Sequence, residues 1–168
     1  MGCDIHMYIE YKSKKRDDWN YFGSKINPGR NYFMFGLLSK GVRSQNEKGI
    51  EAKGLPDGMS YKSSYDAFIY INDNYAADDD NYCTLESANR WAEYGSKIIF
   101  RDDKPFKVEH PDWHSHSWLT TQEFEKQLEI YNSEYGYYPE PEYMAILASM
   151  KELEKYECDS RIVFWFDN

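Results

Sequence analysis

Cys3-Asp-Ile-His-Met-Tyr-Ile-Glu-Tyr11 decides the fold. Its residues alternate in kind: Cys3, Ile5, Met7 and Ile9 are apolar, while Asp4, His6, Tyr8 and Glu10 are polar. A strand turns successive side chains to opposite faces, so this alternation predicts a β-strand with one face in a core. Residues 12–16 form the charged tip of a hairpin, and Trp19-Asn-Tyr-Phe22 is the return strand. The far end of the chain shows the same pattern. Ile162, Phe164 and Phe166 alternate with Arg161, Val163, Trp165 and Asp167, and so apolar a segment belongs in a core rather than a frayed tail. Pairing of the two terminal strands in one sheet brings Arg161 and Asp167 beside Asp4 and His6.

Helices fill the middle. Asn31 caps one that runs to about residue 39, with Tyr32, Phe35, Leu38 and Val42 at helical spacing and Gly41 as its stop. A second spans 85–94, with Thr84 as cap and Gly95 as stop. Thr120-Thr-Gln-Glu123 is a capping box, in which the Glu123 carboxylate reaches back to the Thr120 amide. Leu119 and Phe124 occupy the staple positions, and Phe124, Leu128 and Tyr131 continue as a stripe to about residue 132. Residues 142–157 resume the helical spacing with Tyr143, Ile146, Leu147, Met150 and Leu153. Short strands are expected over 67–72 and 97–101, and Asp78-Asp-Asp-Asn81 is a solvated acidic turn. The mixture predicts an α+β fold: one domain over 1–168, with three to four helices on a single mixed or antiparallel sheet that includes both terminal strands.

A length of 168 residues suits one domain, and 41 % hydrophobic with 29 % charged residues is a globular composition. Aromatics reach 18 %, and each large ring buries ~150–250 Å², so a core is easily built. Tyr and Trp also stack on nucleobases. A net charge of −9 and a pI near 4.9 exclude extended nucleic-acid binding, which needs a basic stripe. They leave room for a small anionic ligand held by a few arginines. Cys3, Cys83 and Cys158 are odd in number and lack metal-type spacing, so a reduced, cytoplasmic setting is expected. Strand-like sequence from residue 3 predicts no signal peptide, and no apolar run approaches the ~18–20 residues of a membrane span.

Three constellations can carry chemistry. In the first, Asp4, His6 and Glu10 share a strand face at ~6.5–7 Å per pair of residues. Such a row can move protons, which makes Asp4 and His6 catalytic candidates, or bind a divalent metal ion through Asp4, His6 and Asp167. It also describes the solvated face of an edge strand. The second, His110-Pro-Asp-Trp-His114-Ser-His116-Ser, places three of the four histidines just before a helix N-terminus. His114 and His116 are acid–base candidates there, and a helix N-terminus favours anions. The spacing matches no zinc motif, and Ser115 and Ser117 suit turn hydrogen bonds. The third is a set of arginines, Arg30, Arg43 and Arg161, whose forks fit phosphate, with Tyr32 and Trp118 as rings for a base. Each arginine taken alone suits a salt bridge on this acidic protein better than a ligand contact. Gly54-Leu-Pro-Asp-Gly-Met-Ser60 is a ligand-covering loop or a turn, and lacks a phosphate-loop ending.

Cys3-Asp-Ile-His6 with Glu10, Arg30-Asn-Tyr32 before Phe35-Gly-Leu-Leu38, Val42-Arg43, Gly54-Leu-Pro56, His116-Ser-Trp-Leu119 and Arg161-Ile-Val-Phe-Trp-Phe-Asp-Asn168 stand in an order that resembles a family of small uncharacterised bacteriophage and bacterial proteins. The resemblance covers nearly the whole chain in short blocks, leaving 47–53 and 61–82 outside. It implies a phage origin and no mechanism. Together with the residues it frames one expectation: a phage-type protein, in the host cytoplasm, that binds a small phosphorylated ligand, a nucleotide, and hydrolyses a phosphoester in it. His6 with His114 or His116 would be acid and base, or ligands of a divalent metal. Asp4 and Asp167 would orient them or bind the metal, and Arg30, Arg43 and Arg161 would neutralise phosphate. The alternative is a non-catalytic protein that sequesters a host nucleotide signal, and a third reading is an interaction protein with ordinary charged surfaces. A homo-oligomer stays open.

Overall fold

A computed structural model describes residues 2–167. Its elements begin β1 (Ile5–Ser13), β2 (Asn20–Ile26), α1 (Tyr32–Leu38), α2 (Tyr61–Ala67), β3 (Phe68–Ile71), β4 (Tyr82–Cys83) and α3 (Leu85–Glu93). They continue with β5 (Ile98–Arg101), β6 (Lys104–Glu109), β7 (His114–Thr120), α4 (Thr121–Tyr135), α5 (Pro141–Glu154) and β8 (Cys158–Phe166). The chain forms two compact units, one from the stretches up to Ser63 and from His114 onward, the other Ser64–Trp113.

The first unit is built on a sheet of order β2-β1-β8-β7, antiparallel throughout. The terminal strands pair along their whole length, from Ile5 opposite Phe166 to Ser13 opposite Cys158. One face buries Ile5, Met7, Ile9, Ile162, Phe164 and Phe166 against Phe35 and Leu38 of α1, Phe124 and Leu128 of α4, and Tyr143 and Met150 of α5. Asn31 caps α1, its side-chain oxygen accepting from the Met34 amide at 3.0 Å. Gly36 is needed there because a Cβ would overlap Ser44. The capping box of α4 is present as the sequence predicts: the Thr120 amide donates to Glu123 Oε2 at 2.9 Å, and the Glu123 amide donates to Thr120 Oγ1 at 3.2 Å.

The other face of this sheet is not a solvated edge. β1 lies inside the sheet, and Tyr8, Glu10, Val163 and Trp165 are buried. The segment around Gly54–Ser60 is bonded to it, with the Gly54 amide donating to the His116 carbonyl at 2.8 Å and the Ser60 amide to Glu10 Oε1 at 2.8 Å.

The second unit carries a sheet of order β4-β3-β6-β5 with α3 and a small core of Ile69, Cys83, Ala88 and Val108. Thr84 caps α3, accepting from the Ser87 amide at 3.1 Å. Burial pushes the Cys83 thiol up to about 11, and all three cysteines are free thiols.

The α+β class holds, but the single expected sheet is two four-stranded sheets, and the described residues form five helices rather than three or four. β6 hides behind Pro105 and its lysines, and β4 is only two residues long. The expected strand at Trp19–Phe22 is longer and shifted to Asn20–Ile26. No helix among the described residues is long and apolar enough to cross a membrane.

Candidate acid–base site

Antiparallel pairing of β1 and β8 sets His6 opposite Trp165 and carries Asp167 beside Asp4. Two backbone-linked bonds lock this corner: the Asp4 amide donates to Asp167 Oδ1 at 2.9 Å, and the Asp167 amide donates to the Asp4 carbonyl at 3.1 Å. The other carboxylate oxygen, Oδ2, lies 2.8 Å from His6 Nε2. Both oxygens of Asp167 are therefore placed, and the carboxylate fixes the plane of the imidazole. Burial alone would raise the Asp167 carboxyl. The His6 hydrogen bond, the Asp4 amide and the His6 charge outweigh it and hold the group below the usual carboxylate range.

Arg30 completes the row. Its Nε and Nη2 donate to Asp4 Oδ1 and Oδ2 at 2.6 and 2.9 Å, a two-point fork. That hydrogen bond, ahead of the Coulombic attraction, holds the Asp4 carboxyl below its ordinary range. The guanidinium lies so close to Gly2 that a Cβ there would overlap it. Arg43 reaches the same residue, Nη2 donating to the Gly2 carbonyl at 3.2 Å, with its guanidinium 5.9 Å from the Tyr32 ring centroid. Arg43 holds a left-handed φ of 57°, a conformation costly for a side-chain-bearing residue and often found at functional sites. Asp4, His6, Asp167, Arg30, Arg43 and Tyr32 thus gather at one end of the sheet.

His114 and His116 of the second constellation lie on a strand, not in a turn before a helix. β7 separates them from α4, because its pairing with β8 supplies the backbone partners that a turn would lack. The register slips between His114 and Ser117, and Ser115 takes a φ of 52°, the marks of a bulge. The bulge parts the two rings. His114 packs on Phe166 and His116 on Trp165, each at 6.0 Å between centroids. Adjacent residues of a strand face opposite ways, so only His116 shares the face of His6, whose own ring stacks 6.2 Å from Trp165.

Arg161 and Trp118 do not join this group. Arg161 stands six residues from Asp167 along the chain, ~20 Å at strand rise. There its Nε donates to Glu10 Oε2 at 2.8 Å and its Nη2 to the Gly58 carbonyl, while Glu10 Oε1 accepts from the Ser60 amide and the Ser63 hydroxyl. Among the described residues no group of three or more His, Cys, Asp or Glu side chains is disposed to hold a metal ion, the set Asp4, His6 and Asp167 included.

Sequence reasoning passed over Trp165 as a site residue and the buried Glu10–Arg161 pair. Aligning the two alternations antiparallel would have set Glu10 opposite Arg161, as the register does. Comparison with known protein families, with curated proteins and with solved structures finds no match for this chain.

Proposed function

We propose that the Asp4 end of the first sheet binds a small phosphorylated ligand, a nucleotide, and that His6 catalyses hydrolysis of a phosphoester in it. The 2.8 Å hydrogen bond between His6 and Asp167 carries this reading. An imidazole oriented by a carboxylate that is itself fixed is the arrangement proton transfer requires. In the reaction a water oxygen forms a bond to phosphorus and the ester P–O bond breaks. The water proton passes to the His6 imidazole, and the departing alkoxide takes a proton back from it, leaving an alcohol and a phosphate. Asp167 stabilises the transient imidazolium. Arg30 and Arg43 offset the charge that develops on the phosphoryl oxygens, and the Tyr32 ring supports the base. A phage protein with this activity would act on a host nucleotide signal.

Incubating the purified protein with a nucleotide panel, with and without Mg²⁺ and Mn²⁺, tests the reading. New products from the parent protein and none from His6→Ala would support it. Recovery of intact nucleotide after denaturation would instead favour sequestration without chemistry. Neither products nor retained ligand would overturn both.

A further inference from the structure

The opposite end of the same sheet holds a groove of about 720 Å³, within the ~300–1,000 Å³ of small-molecule sites. Trp19, Trp118 and Arg161 line it together, with the Arg161 Cζ 3.7 Å from the Trp19 ring centroid and 5.9 Å from that of Trp118. The Arg161 side chain is only 6 % exposed. Its Nε and Nη2 are committed to Glu10 and Gly58, while Nη1 makes no hydrogen bond among the described residues. Gln122 adds an amide to the lining, Glu154 and Asp159 add carboxylates that form no ion pair among the described residues, and Lys151 and Glu125 line it as an ion pair with each other.

Charge decides what fits. The indoles already carry cations from this chain, with Lys12 Nζ 5.3 Å from the Trp19 centroid and Lys53 Nζ 4.1 Å from that of Trp118. A further cation would meet their repulsion. An anion would meet Glu154 and Asp159, while the positive charges of Arg161 and Lys151 are offset by Glu10 and Glu125. A neutral ring with hydroxyls meets neither obstacle. Its C–H groups can pack beside the indoles, its hydroxyls can donate to the carboxylates, and its oxygens can accept from Arg161 Nη1 and the Gln122 amide. The geometry points to this groove as a second binding site, for a neutral ring bearing vicinal hydroxyls: a sugar residue, or the ribose of a nucleoside.

Tryptophan fluorescence and saturation-transfer NMR titrations of the whole chain test it, with methyl glucoside, adenosine, 2′-deoxyadenosine, spermidine and inorganic phosphate as probes. Saturable binding of methyl glucoside or adenosine is expected, weakened about tenfold or more in the Glu154→Gln/Asp159→Asn variant and retained in His6→Ala. Both substituted carboxylates are exposed, so the thermal midpoint of that variant should stay at the parent value. Binding of the glycoside alone identifies a saccharide site, and binding of adenosine alone a nucleoside site. Equal binding of adenosine and 2′-deoxyadenosine would overturn the role of vicinal hydroxyls. Binding of spermidine or phosphate in place of the neutral probes, no binding at all, or binding untouched by the double variant would each overturn the site.

Discussion

Asp167 Oδ2 lies 2.8 Å from His6 Nε2 although 161 positions separate them in the chain. The contact exists because the last strand runs back along the first, and because the Asp4 amide holds the second carboxylate oxygen. The imidazole is thus aimed by backbone geometry rather than by a flexible loop, which favours a fixed tautomer.

Arg30→Ala should act on affinity before rate. The Arg30–Asp4 pair is exposed enough for solvent to screen it, so its loss should leave the thermal midpoint close to the parent value. An arginine that holds phosphate in ground and transition states alike raises KM when removed and leaves kcat nearly unchanged. Steady-state kinetics on the active nucleotide check this, and a variant with parental KM would remove Arg30 from the site.

Acid should loosen this corner. Asp4 and Asp167 are both held below the ordinary carboxylate range, so the unfolded chain binds more protons than the folded one as the pH falls. Their contribution is complete above the unfolded value, about pH 4, and is lost as pH falls through the lowered folded values. Thermal melts should therefore separate parent and Asp167→Asn most at pH 7, with the gap closing below about pH 4. An equal gap at pH 3 and pH 7 would contradict the linkage.

Glu10 and Arg161 form a buried pair, with side chains 0 % and 6 % exposed. Removing one partner strands a charge in the interior, so Glu10→Ala should cost ~3–5 kcal/mol. Replacing both, as Glu10→Leu with Arg161→Met, should restore much of that loss, because the desolvation of two charges disappears together. Urea unfolding of the parent, Glu10→Leu, Arg161→Met and the double variant measures the coupling. Additive losses would mean that the pair is not linked.

Local chemistry was legible in the sequence, and long-range pairing was not. Asn31, Thr84 and Thr120 cap helices as read, since a cap depends on residues three positions away. Strand β7 is not legible in the sequence because the bulge at Ser115 breaks the period-two pattern and Trp118 and Leu119 stand side by side. The polar row of β1 shares one face as its alternation predicts, yet Glu10 serves the interior, through Arg161 across 151 positions and Ser60 across 50. Which carboxylate meets which base is set by strand register, and register was visible only once both strands were paired.

Thr120→Ala should lower stability by ~0.5–2 kcal/mol through loss of the cap on α4. Because Thr120 lies at the opposite end of β8's register from His6, opposite Arg161, turnover should be unaffected. Loss of activity at unchanged stability would refute that separation.

The most direct measurement is the kcat of His6→Ala on the nucleotide that the parent protein hydrolyses, taken with its thermal midpoint. A proton-transferring His6 predicts a fall of ~10²–10⁴-fold with the fold intact. Parental kcat in a folded His6→Ala protein would contradict the assignment of His6 as the catalytic base.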